Sequence, residues 1–256
     1  MKKVAKALLN NTTMYIYGIV FVFLLWFLIS ISQGYGNLVF PSPIETFSSL
    51  GELVSTTYIY KCIGWTLLRT LIGFSIAFAS ALILGMIAGS FYKFYLFLKP
   101  IIIVLKSAPT AAFVFLFLIL SGSRYAPVYI VILLAFPILY ESVVGGIKAV
   151  SPEIIDALRV DCENRIRGLL RVKLPLSLRY IVVGLASSFA LSLKTSIMAE
   201  IIAGDTNYGL GCAITSYRHS DPTNLAPIFA ITLISIIIIL LVDLLSFVVK
   251  RKFKDL

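Results

Sequence analysis

The chain has 256 residues, of which 59% are hydrophobic and 13% charged, and its mean hydropathy is +0.99. Soluble domains carry about 25% charged residues, and a water-soluble globule of this length cannot bury so much apolar surface. These values exclude fibrous, disordered and disulfide-rich secreted proteins, and they predict an integral membrane protein.

Six segments are long enough to cross a bilayer, which takes about 20 mostly apolar residues. They lie at residues 14–32, 64–89, 99–120, 127–149, 178–203 and 225–249. Because lipid offers free backbone groups no hydrogen-bond partner, all six are predicted to be helical. The first is predicted to be an uncleaved helix, since its apolar run exceeds that of a signal peptide. Residues 33–62 are predicted to form an outer loop with room for an interfacial helix.

Positive charges indicate the orientation of the chain. A net charge of +10 would suggest nucleic acid in a soluble protein, but these charges lie between apolar segments, so no nucleic-acid partner is expected. With the N-terminus inside, sixteen of the 22 Lys and Arg lie on the inner side, whereas the outer side holds only Lys61, Arg124 and Arg218. This asymmetry predicts that both termini are cytoplasmic.

Two predicted helices carry a small residue at every fourth position. In the second helix the row is Gly73, Ala77, Ala81, Gly85 and Gly89. In the fifth helix it is Gly184, Ser188, Ser192 and Ser196, with Glu200 next. Such rows let helix backbones approach closely, and serines add hydrogen bonds between helices. Helix packing and a pore-lining role for the serine row are both open.

The inner connection between the fourth and fifth segments carries a helix signal of its own. Ser151 is a good N-cap, Pro152 suits the first turn, and Glu153 and Asp156 favour the positive end of a helix. Apolar side chains recur at helical spacing at Ile154, Ile155, Leu158 and Cys162. This pattern predicts a short amphipathic helix, which either docks on a cytoplasmic partner or lies on lipid headgroups.

This loop resembles the cytoplasmic signature of the permease subunits of bacterial ATP-binding-cassette (ABC) importers. That signature reads Glu-Ala-Ala, three residues, Gly, nine residues, then Ile-x-Leu-Pro. The chain has Asp156-Ala157-Leu158, then Cys162, then Val172-Lys173-Leu174-Pro175 at the same spacing. Cys162 replaces the glycine of the family, so a backbone conformation with positive φ is not expected there.

The resemblance covers nearly the whole chain and is closest to the nitrate, sulfonate and taurine branch. It is carried by Phe40-Pro41-Ser42-Pro43, Arg69 to Phe78, Leu105 to Pro109, Phe136-Pro137-Ile138, Ala199-Glu200 and Asn207 to Gly211. A second proline expected soon after Pro109 is absent, with Phe115 near that place, so the local kink is expected to differ.

The resemblance implies an all-α integral membrane protein of about six transmembrane helices, similar to a type I ABC importer permease. It implies one permease domain over residues 1–256, with its core at 64–249 and a cytoplasmic coupling loop at 150–177, between helices 4 and 5. The residues implied to contact the ATPase are Glu153, Asp156, Ala157, Leu158, Cys162 and Pro175.

The implied function is ATP-driven import of a small, anionic or polar solute across the bacterial cytoplasmic (inner) membrane. The implied partners are cytoplasmic ATP-binding subunits, a second permease subunit in a homodimer, an extracellular or periplasmic binding protein, and membrane lipid. The sequence has no G-x-x-x-x-G-K-[ST] motif, so ATP and Mg are expected on the partner ATPase. The chain itself is therefore predicted to be non-catalytic and without a cofactor.

Charged residues within the predicted helices are candidates for the pathway, because they usually face protein or water. The predicted pathway residues are Lys194, Ser188, Ser192, Ser196 and Glu200. Lys194 lies deep in its segment, about 120° around the helix from Glu200, so these two are not expected to pair. The alternative is a pair between Lys194 and Glu141 or Asp243, while Arg69 is expected to snorkel at the outer end.

Alternatives stay open for the cysteines and for the source of energy. Cys62, Cys162 and Cys212 have no metal-ligand spacing, so no metal site is expected, although a bridge between Cys62 and Cys212 is possible. The alternative function is a secondary transporter driven by an ion gradient, with Lys194, Glu200 and Glu141 as a relay. Against it, the six helices show no evident inverted repeat.

Overall fold

The computed structural model describes residues 11–32, 40–107, 109–151, 153–154, 168–204 and 208–254. The helices are α1 (Asn11–Ser32), α2 (Pro43–Ser55), α3 (Thr57–Ser90), α4 (Tyr92–Ser107), α5 (Thr110–Ser121), α6 (Ala126–Lys148), α7 (Leu174–Ala203), α8 (Leu210–Ser220) and α9 (Ala226–Lys254). A π-helical turn, Leu169–Lys173, leads into α7. No strand occurs in these residues, and the predicted all-α class is confirmed.

Within the described ranges, five helices are long and apolar enough to cross a membrane. They are α1, α3, α6, α7 with its preceding turn, and α9. The bent pair of α4 and α5 makes a sixth span if the two are counted together. The prediction of about six transmembrane helices is therefore confirmed.

The third predicted segment is not one straight helix. Its residues are divided between α4 and α5, which meet at an angle of 96°. Pro109 stands before α5 in an extended conformation, with φ −62° and ψ 119°. Proline has no N–H to donate to a preceding carbonyl, and its ring clashes with a preceding helical turn. The predicted segment at 99–120 is therefore helical on both sides of a bend that lies before α5.

The predicted outer stretch contains a short helix and the start of a long one. A capping box opens α2: the Ser42 hydroxyl accepts from Glu45 N–H at 3.2 Å, and Ser42 N–H donates to the Glu45 carboxylate at 2.8 Å. Reciprocal bonds of this kind satisfy amide donors that a helix start leaves free. Only Thr56, which is extended, separates α2 from α3. As a result α3 begins at Thr57, earlier than the predicted start at residue 64.

The chain divides into two compact units, so the single domain predicted over 1–256 stays a prediction. The first unit comprises Met1–Tyr60 and Ala213–Ile234. In it, the Trp26 indole donates to the carbonyl of Pro41 at 3.0 Å. The Phe229 ring lies 6.1 Å from the Trp26 ring and 5.0 Å from that of Phe40. These contacts join α1, the start of α2 and the start of α9.

The second unit comprises Lys61–Cys212 and Ser235–Leu256. Its core forms where the small-residue row of α3 packs on α6. A Cβ added at Gly85 would lie 2.8 Å from the Val143 Cβ, and one added at Gly89 would lie 2.9 Å from the Ile147 Cβ. Ala81, in the same row, is fully buried. The row thus serves close helix packing, as the sequence pattern predicts.

Candidate functional site

The serine row of α7 lies in the packed interior of the second unit. Ser188, Ser192 and Ser196 are at most 2% exposed. The hydroxyls of Ser188 and Ser192 donate to backbone carbonyls one turn earlier, at 2.7 and 2.8 Å. Gly184 lies against Ser142 of α6, and a side chain at Gly184 would overlap the Ser142 hydroxyl. This burial suits helix packing, and the role of the row in a pathway stays a prediction.

Glu200, the last member of the row, is fully buried and holds two side chains of α3. Arg69 Nη1 donates to Glu200 Oε1 at 2.8 Å, and the Thr66 hydroxyl donates to Glu200 Oε2 at 2.8 Å. Hydrogen bonds between charged groups are about twice as strong as neutral ones. The carboxylate therefore ties the outer part of α3 to the end of α7.

The same groups hold the backbone that leads into α8. The N–H of Gly211 donates to Glu200 Oε2 at 3.1 Å, and Arg69 Nη1 donates to the carbonyl of Tyr208 at 2.8 Å. The N–H of Leu210 donates to the Thr66 hydroxyl at 2.8 Å. We call Thr66, Arg69, Glu200 and the backbone of residues 208–211 the Glu200 network. Its carboxylate satisfies an N–H at the start of α8.

Gly209 is required by the geometry of this network. Its φ is +154°, a conformation that residues with a side chain rarely adopt. A Cβ there would lie 2.8 Å from the carboxyl carbon of Glu200 and 2.9 Å from Arg69 Nη1. The backbone thus passes the ion pair at a distance that only glycine permits.

The pairing of Arg69 with Glu200 corrects the sequence-based expectation for Arg69. Arg69 does not snorkel, because its side chain is only 9% exposed and its Nη1 donates to both Glu200 and the carbonyl of Tyr208 within the network. The prediction compared Glu200 only with Lys194 on its own helix. A usable signal was present in the sequence, since Arg69 and Glu200 both lie toward the predicted outer ends of their helices.

Lys194 makes a much looser pair on the accessible surface of the unit. Its Nζ lies 3.9 Å from the carboxylate of Asp243 on α9, and the two side chains are 53% and 49% exposed. This is one of the two partners that the alternative interpretation offered. The ammonium of Lys194 thus stays accessible, within a helix long enough to span the membrane.

A second accessible pair joins α4 to α6. Lys106 Nζ donates to both carboxylate oxygens of Glu141, at 2.9 and 2.8 Å, and the side chains are 46% and 51% exposed. Ion pairs in membrane-spanning helices are expensive to expose to lipid. The surfaces that carry Lys106 and Lys194 therefore require water or another protein chain against them.

Four of the six residues predicted to contact the ATPase lie outside the described residues, namely Asp156, Ala157, Leu158 and Cys162. Glu153 is exposed, and the pKa of its carboxyl is lowered by its own backbone N–H and then by the Ser151 hydroxyl. Pro175 is exposed at the second residue of α7, directly after the π-helical turn, and it has no N–H to donate to that turn. The role of all six residues in binding an ATPase stays a prediction.

The cysteines provide no disulfide within the described residues. Cys62 and Cys212 are both buried and are not bridged to each other, and Cys212 Sγ lies 3.9 Å from the backbone carbonyl of Glu200. Cys162 lies outside the described residues. In the part of the chain that the structure covers, no group of three or more His, Cys, Asp and Glu side chains could hold a metal ion.

Comparisons with known proteins agree with the helical architecture. Residues 81–255 match the family described as "Binding-protein-dependent transport system inner membrane component". The putative aliphatic sulfonates transport permease protein SsuC of Bacillus subtilis (strain 168) is 25% identical over 215 residues, covering 84% of this chain and 76% of SsuC. The nitrate import permease protein NrtB of Leptolyngbya laminosa is 27% identical over 192 residues, covering 74% and 67%.

Solved structures share the fold. An inward-facing structure of the MetNI methionine ABC transporter matches with a TM-score of 0.62 at 16% identity, over 79% of this chain and 96% of that one. An amino acid ABC transporter crystallised with histidines matches with a TM-score of 0.61 at 19% identity, over 82% and 96%. These likenesses confirm the type I importer permease fold.

The family match covers more than half of the chain, and the relatives confirm the nitrate and sulfonate branch that the sequence resembles. The family match and the relatives support transport driven by ATP rather than by an ion gradient. The chain belongs to the family of binding-protein-dependent transport system inner membrane components, and it is a non-catalytic, multi-pass permease subunit of an ABC importer.

Proposed function

We propose that this permease imports a small anionic or polar solute and that Lys194 faces the solute on its path. The observation that carries the proposal is the accessible ammonium of Lys194 in a membrane-spanning helix, which lies 3.9 Å from the carboxylate of Asp243. The relatives are named for aliphatic sulfonates and nitrate, which are both anions. An accessible cation favours the passage of such solutes.

The other predicted pathway residues have a different environment. Glu200 is fully engaged by Arg69 and Thr66, and Ser192 donates its hydroxyl to its own helix. These groups are less available to a passing solute than Lys194. We therefore assign solute contact to Lys194 first, and to the serine row only where motion of α7 exposes it.

We further propose that the pathway forms between two copies of this chain. The Lys106–Glu141 and Lys194–Asp243 pairs are each about half-exposed on the single chain. A second copy around a water-filled pathway would keep these charges out of lipid. Lipid would then cover the remaining apolar surface, such as that of α1, whose apolar side chains are mostly exposed.

ATP drives the cycle in this proposal from the cytoplasmic side. ATP and Mg bind to the partner ATP-binding subunits, which dock on the coupling loop around Glu153, Asp156, Ala157, Leu158, Cys162 and Pro175. The excess of Lys and Arg on this side supports cytoplasmic termini. An extracellular or periplasmic binding protein delivers the solute at the opposite face.

Purification from native membranes in mild detergent tests the coupling. A stoichiometric ATPase is expected with the wild type and is expected to be lost in Asp156→Arg/Ala157→Arg. The control Phe91→Arg/Tyr92→Arg adds two charges at the exposed junction of α3 and α4 and is expected to keep the ATPase. Recovery of the chain alone, with uptake driven by a proton or sodium gradient, would support the secondary-transporter alternative.

Competition for uptake tests the class of solute. The complex is reconstituted with its binding protein, and ATP-dependent uptake is measured in competition with nitrate, an alkanesulfonate, a neutral amide and a quaternary amine. Competition by an anion or by the neutral polar solute is expected. Competition by the cation alone would contradict the proposal.

A further inference from the structure

An apolar crevice opens on the second unit between α3, α7 and α9. Its volume is about 320 Å³, and its lining includes Phe74, Val182, Phe189, Leu245, Ser246 and Val249. Ser246 is its one polar lining residue and is only 8% exposed. The Phe74 and Phe189 rings meet edge to face at 5.0 Å and form one wall. This size is at the lower end of ligand pockets, which are about 300–1,000 Å³.

The lining suits a hydrocarbon chain. Leu245 is 66% exposed, so the crevice is open along α9 rather than closed within the protein. The helices that form it are all long enough to span the membrane, so the crevice faces the lipid phase or another membrane chain. With nearly no polar group on its walls, it offers nothing to a polar solute.

On α7 and α9, the rows of residues that line the crevice continue toward the cytoplasmic side, and each row reaches a cation there. On α7 the row that holds Val182 continues one turn earlier at Arg179, and on α9 the row that holds Val249 continues at Lys252. Both Arg179 and Lys252 are exposed. They therefore lie at the same end of the crevice, where α7 begins and α9 ends.

The surrounding sequence makes this end strongly basic, although Asp255 follows its last lysine. Residues 168–183 and 244–254 contain no Asp or Glu. They contain Arg171, Lys173, Arg179, Lys250, Arg251, Lys252 and Lys254. Positive charge at the level of the headgroups attracts anionic lipids, and basic pockets between membrane-spanning helices on the cytoplasmic side bind lipid headgroups.

We infer that the crevice binds one anionic phospholipid, with an acyl chain against Leu245 and Phe189 and the phosphate between Arg179 and Lys252. The apolar walls account for the chain, and the basic mouth accounts for the preference for a negative headgroup. A second copy of the permease in this crevice is the competing occupant. A second copy would place its own seven Lys and Arg residues near those of the first copy, and these like charges would repel each other.

Native mass spectrometry of the complete transporter, permease with its ATP-binding subunits, tests this site. The delipidated complex is titrated with phosphatidylglycerol and, separately, with phosphatidylcholine of the same acyl chains. One tightly retained phosphatidylglycerol per permease is expected. Each cation near an anionic headgroup contributes about fivefold in affinity, so Arg179→Gln/Lys252→Gln is expected to lower the preference about 25-fold.

Two matched pairs of variants separate the site from general effects. Lys93→Gln/Lys99→Gln removes two exposed cations from the same predicted side, away from the crevice, and is expected to keep the preference. Leu245→Trp fills the crevice and is expected to lose the retained lipid. Leu244→Trp, on an exposed position of α9 that does not line the crevice, is expected to keep it.

Two results would overturn the inference. The first is an unchanged preference for phosphatidylglycerol in both Arg179→Gln/Lys252→Gln and Leu245→Trp. The second is dissociation of the permease pair by Leu245→Trp with no difference between the two lipids, which would assign the crevice to a second copy.

Discussion

Two kinds of ion pair occur in the membrane-spanning helices, and they differ in distance and burial. Arg69 and Glu200 meet at 2.8 Å, with side chains 9% and 0% exposed. Lys194 and Asp243 lie 3.9 Å apart, with side chains about half-exposed. The first pair also holds backbone groups of residues 208–211, whereas no backbone group joins the second in the bonds described.

This difference indicates that the buried pair supports the fold, whereas the exposed pair serves transport. A buried pair that loses one partner leaves a charge without compensation, which destabilises a protein strongly. An exposed pair contributes little to stability, because solvent screens it and the side chains lose entropy. We therefore expect changes in the Glu200 network to alter folding and changes at Lys194 to alter transport.

The largest expected effect comes from breaking the buried pair. Arg69→Met leaves the Glu200 carboxylate without its cation and is expected to cost about 3–5 kcal/mol of unfolding free energy. Denaturation of the purified permease in detergent, followed by size-exclusion chromatography, measures the loss. Arg69→Met/Glu200→Gln is expected to be less unstable than Arg69→Met alone, since the amide carries no charge. The result that would contradict this is a loss of unfolding free energy in the double variant equal to the sum of the losses in the two single variants.

A smaller effect is expected from crowding the same network. Gly209→Ala puts a methyl group 2.8 Å from the Glu200 carboxyl carbon and strains a backbone with φ +154°, for an expected cost of about 1–3 kcal/mol. Gly145→Ala is the control, because no atom lies within 4 Å of its added Cβ. Thermal unfolding of the two variants is compared. Equal midpoints would show that the close approach at Gly209 is not required.

Breaking an exposed pair is expected to change stability by less than about 1 kcal/mol. Lys106→Met removes the cation that Glu141 binds through both oxygens, yet about half of each side chain is exposed. The unfolding midpoint of Lys106→Met is measured beside that of Arg69→Met. A loss as large as that of Arg69→Met would remove the distinction between the two kinds of pair.

The smallest effect concerns a carboxylate outside the membrane-spanning helices. The pKa of Asp221 is lowered, first by the Thr223 hydroxyl at 2.6 Å and then by the N–H groups of Thr223 and Asn224. The pKa of Asp221 is lower in the folded protein than its ordinary value of 3.8, so these bonds stabilise the turn at pH values above 3.8. This stabilisation is lost as the pH falls through the lowered pKa. Hydrogen exchange over residues 221–226 is expected to speed up on acidification, after correction for intrinsic rates. Asp221→Asn is expected to flatten this dependence, and an unchanged profile would refute it.

Sequence reasoning predicted the helices well because a spanning helix is specified locally. The apolar run around Ala135 lies within one segment, and so does the small-residue row around Ala81. Each pattern by itself indicates that its residues are buried. The bend before α5 was harder to predict. Pro109 was visible, but the apolar residues on both sides satisfy the length criterion for a straight span equally well.

The charge pairs show where local patterns end. Periodicity on α7 correctly separates Glu200 from Lys194, but it contains no information on which helix packs against either residue. Arg69 lies 131 positions from Glu200, and only tertiary packing brings them together. The Asp243 partner of Lys194 was one of two equivalent choices, since Glu141 lies at a similar predicted depth.

The most direct test of the whole account is ATP-dependent uptake by Lys194→Met, measured per folded permease in liposomes with the binding protein and ATPase present. Its unfolding midpoint is expected to match the wild type. Its uptake of the anionic or polar solute is expected to fall about tenfold, which corresponds to about 1.4 kcal/mol for one charge-assisted contact. Unchanged uptake and unchanged solute preference would contradict the assignment of Lys194 to the pathway.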